Sequence, residues 1–550
     1  MCKKFLKVVL SATLVFSLCF FSFSGKNLAF AKGTTESNAT IIFTNDVHGG
    51  ISNVNKSLTD EANLCYASVA QMKQDCGENT LLVDAGDHCS GSSYAAYDRG
   101  QTMTDLMTMC GYDFAVPGNH EFDKGVDYFK QIQNKVKDST KPHSYDYYAC
   151  NFHKLDESGQ DDGLVTENDG YEIFDVDSIR IALVGIMTPE TMGKTAVGFY
   201  QDEAGNFRYK IDSAEIDDSL YEVVANTLDK EEVQNADIII GVGHLGDDIS
   251  SGRNTSMCVV QHVNAIQSSK TDKKGFSAFI DGHSHHVYTS KFLYNNDNDN
   301  INNSSIDGPG ATEFPIMQTG TDFNNVGKLY IYRDKDGNFT LNQELISKYG
   351  SRMGDSSDEF TVLGKELAWY NQIEATLATE VARTEFAYID SDDYTNPNRL
   401  RYVRTRETNL GDLITDAYYW YCNSNPDNFT TRNCSGVVDL EKFEPQSLAN
   451  FSTEDVTDNG IDAAIFNGGG IRETIPVGKI TMQTCRTTLP YDNELAICKL
   501  TGQNIKDMIE FSVRYFGTGA QSGSFLHYAG LRAKINAETQ STVQTDEYGC

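Results

Sequence analysis

Several short segments of this chain carry residue types that bind metal ions or move protons. They are "TNDVHG" with Asp46 and His48, "DAGDHCSG" with Asp84 and Asp87, "GNHEFD" with Asn119, His120 and Asp123, "GVGHLGDD" with His244, and "DGHSHH" with His283 and His285. His48, His120, His244, His283 and His285 are five of only 11 histidines in the chain. The Asp-x-His and His-x-His spacings let two side chains leave one turn toward a common centre. Carboxylate, imidazole and amide oxygen are borderline-to-hard donors, suited to Mn, Zn, Fe, Co or Mg rather than copper(I). A bridging carboxylate such as Asp87 can hold two such ions roughly 3.5–4 Å apart, where they clamp a phosphate oxygen and activate water for in-line attack. Each segment alone has an ordinary structural reading; their recurrence in order carries the argument.

These residues need a scaffold that brings distant segments to one place. From Thr40 to about Tyr332 apolar runs alternate with helical or loop stretches: "TIIFTN", "NTLLVDAG", "DFAVPGN", "RIALVGI", "ADIIIGVGH" and "FSAFIDGH". Short runs rich in Val, Ile and Phe that end in glycine or polar residues read as buried strands. Their alternation predicts an α/β layered domain. The candidate ligands follow the strands, and in such sheets the carboxyl edge is where ligands bind. Between Asp355 and Ala382, Phe360, Leu363, Leu367, Tyr370, Ile373 and Leu377 recur at helical spacing, which predicts a linking helix capped by Ser356 or Ser357. Beyond it a helix is expected over Asn409–Cys422, and strands at "AAIFN" and "ELAICKL".

The order D-x-H, G-D, G-N-H-E, H and G-H-x-H resembles the calcineurin-like metallophosphoesterase superfamily. Three later motifs narrow the resemblance to the secreted bacterial 5′-nucleotidase family: "RTRETNLGDLITDA" (404–417), "FNGGGIRETI" (466–475) and "TLPYDNELAICKLTGQNI" (488–505). The fold this implies is a four-layer α/β/β/α metallophosphoesterase sandwich over 38–345, the linking helix at 355–382, and a smaller α/β (α+β) nucleotide-binding domain over 383–550. The resemblance implies that Asp46, His48, Asp87 and His285 hold one divalent ion. Asp87, Asn119, His244 and His283 would hold a second. It places His120 at the phosphate, with Asp123 orienting its ring. It assigns Arg404 and Arg472 to the nucleotide's polar groups, Asn467 to the base, and Tyr491 to one face of an aromatic clamp. The three glycines of "NGGGIR", Gly469 among them, let a ligand approach the backbone. Asp84 and Glu121 receive no role beyond hydrogen bonds that shape the turns.

The implied activity is release of phosphate from nucleoside 5′-monophosphates by a metal-bridging hydroxide. The same centre would serve a 2′,3′-cyclic nucleotide phosphodiesterase/3′-nucleotidase or a UDP-sugar diphosphatase. A non-catalytic nucleotide- or metal-binding surface protein is the rival of a different class, and the His120–Asp123 pair argues against it. A formal charge of −33 argues against nucleic acid as a partner. Residues 1–31, with Lys3, Lys4 and Lys7 before an apolar stretch and "AFA" at 29–31, read as a signal peptide, so the mature protein is expected outside the cell with no membrane span. Of 13 cysteines none forms a CxxC pair, and buried free thiols are expected. "NNDNDNINNSSIDGPG" (295–310) reads as an exposed loop. The family continues past the "FLHYAGLRAKI" region to a second clamp aromatic, so the chain is expected to be a piece of a longer protein.

Overall fold

The computed structural model describes residues 35–536, except 61–62, 138–142, 196, 203–204, 216–217, 295–310, 392–399, 425–437, 440–460, 491–492, 494, 496 and 518–520, together with residue 543. The signal peptide expected at 1–31, the loop expected at 295–310 and Tyr491 lie outside the described residues.

Two sheets form the heart of the first domain. One runs in the order Phe339–Ile346, Val326–Asp334, Thr35–Thr44, Thr80–Asp84, Phe114–Ala115. The other runs Val287–Tyr288, Ile316–Thr319, Ala278–Ile280, Ile238–His244, Ile179–Met187, Tyr171–Val176. In the five-stranded sheet Thr35–Thr44, Thr80–Asp84 and Phe114–Ala115 are parallel neighbours and the other two pairings are antiparallel; in the six-stranded sheet the central pairings are parallel and the two outer ones antiparallel. Strands buried on both faces read as continuous apolar runs, because no position faces water. Within Ile179–Met187, Ile179, Ile181 and Leu183 join a core shared with the five-stranded sheet. The alternate residues Ala182, Val184 and Ile186 pack instead with the helices Ser219–Leu228 and Ser256–Ser268. Helices Tyr66–Cys76, Gln101–Cys110 and Val126–Val136 supply the remaining layer. The result is the expected four-layer α/β/β/α sandwich.

The linking helix is shorter than its periodicity suggested, spanning Val362–Leu377. Asp355 Oδ1 accepts from Ser357 N and Oγ, which holds that stretch in a turn, and Thr361 is the residue whose side chain caps the helix. Phe360 therefore falls outside the helix and is 85% exposed. Glu366 on the buried face accepts from Tyr66 N and Ala67 N at 3.1 and 3.0 Å. Trp369 Nε1 donates to Tyr94 O, and Tyr370 stacks on Tyr94. These contacts fasten the helix to the first domain.

In the second domain, Ala464–Asn467 pairs with Leu526–Ala529 and Glu380–Thr384 with Gly478–Thr481. The expected helix runs over Asn409–Ser424. "ELAICKL" shows strand only at Cys498–Lys499 among the described residues. Val403, Leu410, Ile414, Ile471, Ile475 and Ile480 make a small core.

Candidate active site

All five ligand-bearing segments leave the carboxyl ends of parallel strands, from Thr44, Asp84, Ala115, His244 and Ile280. This shared edge brings Asp46, His48 and His285 into one cluster of donor atoms, and Asp87, His244 and His283 into another. A third set, His48, Asp87 and His120, joins them. His48 Nε2 lies 3.0 Å from His285 Nε2, and Asp46 Oδ1 is 3.3 Å from the latter. Asp87 Oδ2 is 3.1 Å from His244 Nε2. Asn119 is buried at the start of the turn His120–Phe122.

His48, His244 and His120 each have one nitrogen committed to the protein, which leaves the other for a ligand. His48 Nδ1 donates to Ser90 O at 2.9 Å and His244 Nδ1 to Ala85 O at 2.6 Å. His120 Nδ1 donates to Asp123 Oδ2 at 2.9 Å, and Ser90 Oγ donates to the same oxygen at 2.6 Å. His244 Nε2 is fully buried and has no aligned hydrogen-bond partner. A buried polar atom without a partner is costly unless something binds it. A divalent cation fits this donor set of carboxylates and imidazoles.

The backbone at these positions is unusual. Asp46, His48, Asp87, His283 and His285 all have φ between 50° and 82°, the left-handed region. Asp and His tolerate it better than most residues, yet it costs roughly 1–3 kcal/mol each and persists only where the surroundings over-determine it. Glu121 provides much of that determination. Its buried carboxylate accepts from the backbone N–H of Asp87, His88, Cys89 and Gly118 at 2.7–3.0 Å, tying two ligand turns together. A side chain at Gly118 would sit 2.2 Å from Asp87 Oδ1, so only glycine allows this approach. Asp84 accepts from Thr44 Oγ1 and Gly86 N. Both acids thus shape turns, as their sequence context suggested.

Mutual charge stabilises the cluster against burial. Burial alone would push the Asp87 carboxyl up, but His244 and His120 hold it well below the usual range. Burial would lower His120, but the Asp87 charge and the Asp123 hydrogen bond outweigh it and raise the imidazole to about 9. The same balance, with Asp87 and Asp46 opposing burial, raises His244 to about 10. His120 stands edge-on to His48, with ring centroids 5.2 Å apart. Ser90, Arg99, Lys124 and Tyr128 share a cavity with His120 and Asp123.

Three participants escaped sequence reading. His88 is buried between Asp84 Oδ1 at 2.8 Å and Tyr147 Oη at 2.6 Å. Asp281 accepts from the backbone of Leu245 and Gly246, and burial raises it to about 6. Glu190 accepts from His283 Nε2 at 3.2 Å. Glu190 follows the strand Ile179–Met187, so the strand-end rule that located the other residues points to it too.

In the second domain the turn Gly468–Gly470 packs against the turn Tyr402–Arg404. A Cβ on Gly468 would meet Val403 O at 1.8 Å. Ser522 N donates to Arg404 O, and Gly469 N to Gly523 O. Asn467 Nδ2 donates to Gly523 O at 2.9 Å and its side chain is exposed. Arg472 Nη1 donates to Gly469 O at 3.3 Å. The segments carrying Arg404, Asn467, Gly469 and Arg472 therefore converge.

Comparison with known proteins agrees with this arrangement. Residues 39–287 match the calcineurin-like phosphoesterase family, and residues 383–547 match the 5′-nucleotidase C-terminal domain. The chain is 24% identical to a 5′-nucleotidase of Diplobatis ommata, covering 96% of this chain and 78% of that protein. It is also 24% identical to a trifunctional nucleotide phosphoesterase of Bacillus subtilis, over 90% of this chain and 28% of that one. The solved 5′-nucleotidase precursor of Thermus thermophilus shares the fold, with TM-score 0.51 and 19% identity over 90% of this chain and 82% of that one. The chain belongs to the metallophosphoesterases that join a calcineurin-like phosphoesterase domain to a 5′-nucleotidase C-terminal domain, and is a phosphoric monoester hydrolase of that type.

Proposed function

We propose that this protein releases phosphate from nucleoside 5′-monophosphates outside the cell. The observation that carries the reading is Asp87 standing between two donor clusters, with the His120–Asp123 pair beside it. Asp46, His48, Asp87 and His285 would hold one divalent ion, and Asp87, Asn119, His244 and His283 the other. Such ions, from among Mn, Zn, Fe, Co and Mg, supply Lewis-acid polarisation of the phosphate and a water of lowered pKa.

The chain's own residues do the rest. Asp123 fixes the His120 ring and favours its protonated form, so Nε2 carries a proton toward the phosphate. That proton stabilises the charge developing there and is donated to the departing ribose oxygen. Arg472 and Arg404 grip anionic or polar groups of the nucleotide, Arg472 through a planar fork. Gly469 gives the ligand access to backbone, Asn467 meets the base, and Tyr491 stacks on it. The leader-like residues 1–31 support secretion, and no helix among the described residues is long and apolar enough to cross a membrane.

A second reading is favoured by the Bacillus subtilis relative, whose name records more than one phosphoester activity. The test is phosphate release from AMP, 3′-AMP, the cyclic AMP isomers and UDP-glucose, after metal stripping and re-addition of single divalent ions. AMP is expected to be the best substrate. Faster turnover of a cyclic nucleotide or UDP-glucose would replace this reading with the second.

A further inference from the structure

We propose that Glu190 is the positioning residue of the second metal subsite. It fixes the His283 ring through Nε2 and so leaves Nδ1 for the ion that Asp87, Asn119 and His244 would share. The proposal rests on the two-metal reading above.

The geometry is specific to this one ligand. Glu190 Oε2 accepts from His283 Nε2 at 3.2 Å, and the His283 side chain is 5% exposed. The same carboxylate oxygen lies 3.0 Å from Lys194 Nζ, a cation that helps hold it in place. Glu190 itself is anchored, because its backbone N–H donates to Thr188 Oγ1 at the end of the strand that neighbours Ile238–His244. Meanwhile His283 N donates to both oxygens of Asp46, at 3.1 and 2.9 Å. The ring is thus held at its tip by Glu190 and at its backbone by Asp46. Its donor atom lies in the cluster with Asp87 and His244, and Glu190 is in none of the candidate ligand clusters among the described residues. A carboxylate bound to the outer nitrogen of a ligating imidazole fixes its tautomer and raises its basicity; losing one weakens metal binding about 10–100-fold.

The test measures binding of Mn²⁺ to the metal-stripped full chain by equilibrium dialysis, resolving two affinities. Wild type is expected to bind two ions. Glu190→Gln should keep one affinity and weaken the other about 10–100-fold. Lys194→Ala, a milder surface change, should weaken that same site roughly two- to threefold. His283→Ala should weaken it too, and adding Glu190→Gln to His283→Ala should weaken it no further, because Glu190 acts through that ring. Unchanged affinities in Glu190→Gln, equal weakening of both sites, or additive losses in the double variant would each overturn the proposal. A wild-type chain that binds one ion overturns the two-metal reading itself, and does so before any substitution is made.

Discussion

The two domains organise their candidate functional residues in opposite ways. In the first, Asp46, His48, Asp87, Asn119 and His244 are buried and only His285 is exposed, several sit in left-handed backbone, and most of the imidazoles have one nitrogen tied to a named partner. In the second, Asn467 is exposed, and the described part of the core consists of a few residues around Ile414 and Ile471. Chemistry on a phosphate needs donors preorganised before the substrate arrives, so strain is stored and braced. Recognition of a base and sugar needs a surface that a ligand can enter and leave. The first domain should therefore govern turnover and metal content, and the second should govern substrate affinity.

Substitutions in each domain can break or sharpen this contrast. The largest effect is expected for Asp87→Asn, which removes the charge shared by both clusters. Turnover should fall about 1,000-fold or more, because several kcal/mol of charge stabilisation depend on both ions. Metal analysis of the purified variant should give fewer than two ions per chain. Two retained ions with normal turnover would remove Asp87 from the centre of the account.

Glu121→Ala tests whether the strain is braced from within. Four buried N–H groups would lose their acceptor, at about 1–3 kcal/mol for the worst placed and less where water enters. A loss of roughly 3–5 kcal/mol is expected in denaturant unfolding of the metal-free protein, together with weaker metal binding. A stability within about 0.5 kcal/mol of wild type would show that the turns hold without it.

Arg472→Ala moves the test to the second domain. KM for AMP should rise about 10- to 100-fold from loss of a charged hydrogen bond, with kcat and metal content near wild type. A fall in kcat at unchanged KM would erase the division of labour.

The smallest effect on catalysis is expected in the helix that joins the domains, where a substitution should be read in stability alone. Burial pushes the Glu366 carboxyl up to about 7, against an ordinary 4.5. The folded state therefore holds the proton more tightly than the unfolded state. This contribution to stability is fully present below about pH 4.5 and is lost as pH rises through about 7, on the order of 3 kcal/mol across the window. Thermal melts of Glu366→Gln should show a flatter pH dependence between pH 5 and 8 than wild type. Parallel curves would mean that Glu366 does not titrate there.

Legibility in the sequence followed the same division. The strands around Ile181 and Ile240 were readable because burial on both faces leaves unbroken apolar runs. Asp46, His48, Asp87, His120, His244, His283 and His285 stood out as a candidate cluster because carboxylates and imidazoles recur at strand ends, and the structure brings their donor atoms together. Glu190 also follows a strand, yet what it does shows only in its contact with His283, and the buried ring of His88 is explained only once Asp84 and Tyr147 are seen on its two nitrogens. The linking helix was over-extended for a local reason: the hydrogen bonds of Asp355 and Thr361 outrank an apolar match at Phe360. In the second domain the motif at 466–472 coincides with the turn Gly468–Gly470, but only the packing of Gly468 on Val403 reveals how close Arg404 lies to it.

The central claim is that His120 acts on the phosphate and not as a metal ligand. His120→Ala, assayed for AMP turnover and metal content on the same sample, tests it most directly. Turnover should fall about 100- to 10,000-fold while the metal content of the chain stays at the wild-type value. Metal lost in proportion to activity, with turnover per bound ion unchanged, would contradict the account and make His120 a ligand.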